Sequence, residues 1–315
     1  MSLKYAIKSQ LRHIANNSLG RLHLRQQSDK ENILLFSNRR GGSTWLIELL
    51  SAEPRTKRSV EIFDVTLNHN PYRHRLPQAQ DGFFVDLNDS EKQQLLDYYR
   101  DIESGQIVYN TQWKFWQPPY NFVYDRQIFK FFYVKNYIAD FAENFSGQII
   151  FQMRHPIATA MSIDRLGWPC CAQAYLSSQQ LGSLLTEQQR HVGQQVLQHG
   201  SSLEKHVLGW FLENWIPISL APKSSWLVLQ YEHMVRKPED TAKQLSSQLQ
   251  LTGSEQFMAN YRKPSYNAFD SRQKIERYDE EQLCEGWRDK LDISKQPLLA
   301  EIFQAFDNPF YRWDY

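Results

Sequence analysis

The sequence predicts an α/β protein, a three-layer sandwich whose central parallel sheet is covered by helices on both faces. Three observations predict it. Short apolar runs of strand length alternate with stretches of helical periodicity and long crossovers between them. The runs at 33–36 and 131–134 are apolar at consecutive positions, as strands buried on both faces are. A basic, glycine-rich break, Arg39-Arg-Gly-Gly42, joins the first run directly to a helix, and ligands of open α/β sheets bind at such strand ends.

Ile33 to Phe36 is long enough for one buried strand and too short for a helix. After the break, Ser43 reads as an N-cap, and Trp45, Leu46, Leu49 and Leu50 recur at helical spacing. Strand, glycine turn and helix together make an anion site, because free amides and the positive end of the helix dipole face whatever the turn holds. The phosphate loop of nucleoside triphosphatases needs Gly-x4-Gly-Lys-Ser/Thr, and that spacing does not occur here.

What stands in its place is Arg40-Gly-Gly-Ser-Thr-Trp-Leu46. Further on, the strand-like Gln148–Met153 is followed by Arg154-His-Pro-Ile-Ala-Thr-Ala-Met-Ser162, an arginine and a serine separated by seven residues. Trp226-Leu-Val-Leu-Gln-Tyr-Glu-His-Met234 and Arg236-Lys-Pro238 make a third match. In this order, across residues 31 to about 252, the motifs resemble the sulfotransferases that use 3′-phosphoadenosine 5′-phosphosulfate (PAPS). The third resembles that family's strand ending in Tyr-Glu-Asp-Leu.

The resemblance implies a P-loop NTPase-like sulfotransferase fold, with residues 1–315 as a single domain. It makes Arg39, Arg40, Gly41, Gly42, Ser43, Thr44 and Trp45 the loop for the 5′-phosphosulfate, with Trp45 against adenine. Arg154 and Ser162 would grip the 3′-phosphate. Arg40 would steady the charge that grows on the leaving phosphate; two adjacent arginines leave Arg39 as its rival.

The general base is expected to be Glu61. Arg58-Ser-Val-Glu-Ile-Phe-Asp64 reads as a second short strand ending in an acid. It is similar to the Gly-Glu-Ile-Phe or Pro-Glu-Tyr-Phe of several bacterial sulfotransferases, some of which use that glutamate as base, although Ser59 and Val60 replace the glycine or proline. Cytosolic relatives carry Lys-Thr-His where this chain has Lys114-Phe-Trp116, in a stretch (Val108 to Trp116) that reads as strand and has no histidine. His69, His74 and His155 stand behind Glu61 as fallback bases. Lys135-Asn136 matches the family's Lys-Asn or Lys-Thr pair, which leaves Lys135 either at the sulfuryl group or structural.

The remaining segments are read more coarsely. Residues 1–30 carry Lys4, Lys8, Arg12, Arg21 and Arg25 and no acid before Asp29, a basic helical extension that is either solvated or laid on a membrane or an anionic substrate. Ser90 to Ile102 reads as a capped helix. Residues 164–222 form a helical insertion that the resemblance places on the acceptor side, ending in an apolar helix, Glu204 to Leu220, whose Trp210, Phe211 and Trp215 suit a core packed on the sheet. Pro238 to Leu251 is a further helix. In the tail, Arg272, Lys274, Arg277 and Arg288 are either solvated or part of a loop closing over nucleotide, and Gly286-Trp-Arg-Asp-Lys-Leu291 is similar to the family's Trp-Arg-x-x-Leu.

Composition bounds the partners. With 36 basic and 35 acidic residues the net charge is +1, so anion binding is local and a nucleic-acid surface is excluded. Three cysteines, two of them adjacent, make no disulfide framework and suit a reducing compartment. The nine histidines show no paired ligand spacing, so no metal is expected. No run of 18 apolar residues occurs, whereas Golgi members of the family usually begin with a membrane anchor. With Met1 as the natural start, a soluble cytoplasmic enzyme is expected. It would move a sulfuryl group from PAPS to a hydroxyl, less readily an amine, of a carbohydrate, glycolipid or small molecule. A noncatalytic nucleotide-binding relative and a P-loop phosphoryl-transfer enzyme are the alternatives.

Overall fold

The computed structural model describes residues 24–26, 28–65, 72–108, 123–252, 254–265 and 278–313, together with Ser18 and Asn70. Five strands, β1 (Asn32–Ser37), β2 (Thr56–Val60), β3 (Arg126–Phe131), β4 (Gly147–Met153) and β5 (Leu227–Gln230), form one parallel sheet in the order β2-β3-β1-β4-β5. Leu34 of β1 lies opposite Phe129 of β3 and Ile149 of β4. The loops leaving β1 and β4 therefore emerge side by side, about 5 Å apart, at the same edge of the sheet.

Strand β1 is buried along its whole length, and its side chains still alternate. Leu34 and Phe36 enter a large core with Phe131, Phe151 and Phe141, while Ile33 and Leu35 enter a second core with Leu46, Leu50 and Leu245. A continuous apolar strand is thus what a sheet covered on both faces demands. Helices α1 (Ser43–Leu50), Pro238–Leu249 and Ser254–Tyr261 contribute to the second core; Asp89–Glu103, Ile138–Asn144 and Pro156–Asp164 contribute to the first.

Several boundaries differ from the sequence reading. The N-cap of α1 is Gly42, at φ 91°, and Ser43 is the first helical residue. A left-handed turn residue occupies the cap, so the serine side chain is not needed there. The third strand runs from Arg126 to Phe131 and not from Phe131 to Val134. Its polar start is buried with partners: Arg126 donates to the carbonyls of Glu31 (2.7 Å) and Leu249 (2.6 Å), and Gln127 N–H donates to Asn32 Oδ1 (2.9 Å). The second strand stops at Val60, one residue short of Glu61. The Asp89–Glu103 helix begins one residue early because Asn88 and Glu91 close a capping box, at 3.0 Å in each direction.

The segment 164–222 is helical, with Ala172–Leu176, Gln179–Gly182, Glu187–His199 and the long Ser202–Leu220. The last packs chiefly on Pro156–Asp164, Ala172–Leu176 and the Lys135–Tyr137 turn, a helix layer over the first core. Among the described residues no helix is long and apolar enough to cross a membrane. Leu24–Arg25 pairs in parallel with Val123–Tyr124. Apart from Ser18, the helical extension before it lies outside the described residues, as do Lys114 and most of its strand, His69, Arg272, Lys274 and Arg277.

Candidate active site

Every strand of the sheet delivers a side chain to one cleft of about 1010 Å3 beyond the strands' carboxyl ends. Arg39, Arg40, Gly42, Ser43, Thr44 and Trp45 line it from the β1 turn, Glu61 from the end of β2, and Phe132 from just past β3. Arg154 and Ser162 come from β4 and the helix after it, and Tyr231 from the end of β5. Of the residues expected to hold the 5′- and 3′-phosphates or do the chemistry, only Gly41 does not line the cleft. Its N–H closes the turn on Asn38 O (3.0 Å), and a Cβ there would press within 3.0 Å of Asn38 O and Ser37 Oγ. Gly42 is fixed twice over, by its positive φ and by Tyr231, whose ring carbon would sit 2.6 Å from an added Cβ.

The two adjacent arginines point to different tasks. Arg40 Nε donates to Ser162 Oγ at 3.0 Å, which joins the β1 turn to the β4 helix. Burial first, then the neighbouring positive charges of Arg154 and Arg165, push Arg40 below its ordinary value, although a guanidinium stays charged. Three cations that raise one another's potential leave an anion as the natural occupant. Arg39 turns the other way. Its guanidinium donates to Pro169 O (2.9 Å) and lies 5.1–5.8 Å from the ring centres of Phe83, Tyr133 and Trp168. It clamps the 167–171 loop, and Trp168 of that loop lines the cleft with its ring partly exposed.

Arg154 donates to Leu283 O (3.4 Å) and stands 4.5 Å over the Tyr231 ring, while its buried Nε has no hydrogen-bond partner among the described residues. Trp45 donates from Nε1 to Tyr261 O (3.1 Å) and meets Tyr231 edge-on at 5.8 Å, so three aromatics wall this side of the cleft. Both residues expected to do the chemistry have left-handed backbones, Arg40 at φ 61° and Glu61 at φ 58°. For residues with a Cβ that costs about 1–2 kcal/mol each, and such strain gathers at functional sites.

Three other candidates from the sequence lie outside the cleft. His155 is stacked on Trp287 (4.3 Å) and half-buried, and this desolvation pushes it down to about 3; it does not line the cleft, so it is no base for the site. His74 is exposed and lines a separate hollow with Arg73 and Leu76. Lys135 is fully buried, 3.2 Å from Glu213 and 3.0 Å from Asn214 Oδ1, which makes it structural. Glu213 also accepts from Asn38 Nδ2 (3.0 Å), so the long Ser202–Leu220 helix braces the start of the β1 turn.

Two further residues carry no role in the sequence reading. Lys130, inside β3, reaches both Glu61 and Thr44. Glu232 accepts from His155 N–H (2.9 Å) and from the Tyr311 hydroxyl (2.8 Å), and so fixes where the second loop starts. Its one signal was its place in the Tyr231-Glu-His-Met motif. The tail covers the cleft with residues from Tyr278 to Trp287, while Arg288 pairs with Glu285 at 2.6 Å. Among the described residues no three His, Cys, Asp or Glu side chains gather as a metal site would require.

No protein-family model matches the chain, and no curated protein does. Solved structures do. The sulfotransferase domain of the Synechococcus PCC 7002 olefin synthase superposes with a TM-score of 0.52 at 15% identity, covering 92% of this chain and 99% of that domain. The sulfotransferase domain from the curacin biosynthetic pathway gives 0.51 at 15% identity, over 92% and 100%. The chain has the sulfotransferase fold, a P-loop-like α/β sandwich.

Proposed function

We propose that the protein transfers a sulfuryl group from PAPS to an acceptor hydroxyl. The observation that carries this reading is the Arg40–Ser162 bond, which binds the glycine turn and the Arg-x7-Ser loop into one cleft with Glu61 on its wall. Two anion seats at neighbouring strand ends suit a donor with phosphates at both its 5′ and 3′ positions. The absence of Gly-Lys-Ser/Thr from the turn speaks against a nucleoside triphosphate.

In this reading the α1 amides, Ser43 and Thr44 hold the 5′-phosphosulfate, and Arg154 with Ser162 holds the 3′-phosphate. The acceptor oxygen attacks sulfur in line with the bond to the 5′-phosphate. A new S–O bond forms, the old one breaks, and its electron pair goes to the phosphate oxygen. The hydroxyl proton passes to the Glu61 carboxylate. Arg40 opposes the charge that grows on the leaving phosphate, where fixed cations lower the barrier most. The single domain carries both halves of the site, and the 164–222 segment supplies the acceptor side through Trp168 and Leu203. A glycan or another small hydroxyl compound is the acceptor.

The test is transfer of labelled sulfate from PAPS to a panel of sugars, glycolipids and small alcohols. Label moving to one acceptor class supports the reading. Tight binding of adenosine 3′,5′-bisphosphate with no transfer to any acceptor overturns it in favour of a binding protein.

A further inference from the structure

We propose that Lys130 is a positioning residue of this site: its ammonium holds the Glu61 carboxylate and fixes the Thr44 hydroxyl as a donor toward the anion seat. The inference rests on the sulfuryl-transfer reading for its Glu61 half. Its Thr44 half stands on anion binding alone.

The geometry is specific. Lys130 lies in the middle layer, opposite Leu35 of β1 and Val60 of β2, with its side chain 1% exposed. Its Nζ is 3.2 Å from Glu61 Oε1, 3.3 Å from Thr44 Oγ1, and 4.7 Å from the Phe132 ring centre. Lys130 grips Glu61 at both ends, because its backbone carbonyl also accepts the Glu61 N–H at 3.2 Å. That double hold keeps Glu61 in its left-handed conformation with the carboxylate at the cleft wall.

An ammonium has three donors and no acceptor. The Thr44 oxygen must therefore accept from it, and the hydroxyl's own proton is turned elsewhere. Thr44 lines the cleft, and among the described residues no protein group takes that proton. It is thereby kept for an anion in the seat. One buried cation thus organises both sides of the reaction, the group that takes the proton and the group that meets the leaving phosphate.

Stability does not explain this lysine. Its strand neighbours Phe129 and Phe131 are buried apolar residues, and replacing a buried ion pair by packed hydrocarbon is often neutral or stabilising. A lysine here gives up packing to place a charge between two elements of the cleft.

The test uses the full chain as wild type, Lys130→Met, Lys130→Arg, Thr44→Val, Glu61→Gln and the double variants. Two quantities are read: the dissociation constant of adenosine 3′,5′-bisphosphate, and kcat with labelled PAPS. Lys130→Met is expected to lower kcat at least about tenfold and to weaken bisphosphate binding about threefold, with Lys130→Arg recovering part of both. On a Glu61→Gln background the kcat loss, and on a Thr44→Val background the binding loss, should largely vanish, because contacting residues couple by such amounts. Losses that stay undiminished on both backgrounds, or a Lys130→Met enzyme equal to wild type, overturn the proposal while the transfer reading survives. A wild type that binds bisphosphate but transfers nothing overturns the transfer reading and the Glu61 half, and the binding cycle still decides the Thr44 half. Should Lys130→Met alone not fold, the Lys130→Met, Glu61→Gln double variant removes both charges and is compared with Glu61→Gln.

Discussion

Arg40 Nε donates a 3.0 Å hydrogen bond to Ser162 Oγ, a contact between side chains 122 residues apart in sequence. The serine of the second loop is therefore in the hands of the first loop's arginine. Whatever anion enters the cleft meets the two as one unit.

On the proposed transfer, Arg40→Ala should lower kcat about 100-fold while weakening donor binding much less, because the charge that Arg40 would oppose is largest in the transition state. Arg39→Ala should instead raise the KM for acceptor, since Arg39 holds Pro169 and the Trp168 loop. Steady-state kinetics of both variants decide the matter, and the opposite pattern would reverse the two roles.

Arg154→Ala should weaken adenosine 3′,5′-bisphosphate by about 2 kcal/mol or more, the loss of a charge-assisted contact. Titration calorimetry with AMP, which lacks the 3′-phosphate, should show no such difference. Equal losses for both ligands would make Arg154 a support for Tyr231 and Leu283 and not a phosphate reader.

Glu61→Gln keeps the shape and removes the basicity. Turnover should fall about 10²–10⁴-fold with bisphosphate affinity nearly unchanged. Retention of most activity would remove Glu61 from the mechanism. Among the fallback bases His155 is already excluded by its stacking in the core.

Acid should loosen the fold through His155. The unfolded chain takes up this proton near pH 6.5, while burial delays it to about 3 in the folded protein. The unfolded state thus binds more protons throughout that interval, and stability is lost as pH falls through it, by up to about 1.4 kcal/mol per pH unit. Between pH 6.5 and 5 the wild type should lose about 2 kcal/mol more than His155→Phe, which keeps a ring against Trp287. Urea unfolding at both pH values measures the difference.

The two turns that line the cleft were legible because their signals are local. A glycine pair between a strand and a helix, and an arginine seven residues before a serine, are short-range patterns. The third strand was misplaced because Arg126 and Gln127 look like loop residues until their partners at Glu31, Leu249 and Asn32 are in place. His155 follows Arg154 directly in sequence, yet its ring packs beneath the tail on Trp287 while Arg154 lines the cleft. Lys130 was illegible for the same reason: its partners lie 69 and 86 residues away, and an isolated lysine in an apolar run says nothing of where its ammonium ends.

The adjacency of β1 and β4 has a kinetic side. Their pairing sets Asn32 opposite Gly147 and Ser37 opposite Gln152, contacts of long sequence separation that are slow to form because a large loop must close first. The turns after β1 and β4 do not meet in one cleft until that closure has occurred. If the cleft binds nucleotide as proposed, that binding should return during refolding with the central strand pairing and not with the earlier, local helices, and adenosine 3′,5′-bisphosphate would then report the step that commits the chain to its sheet.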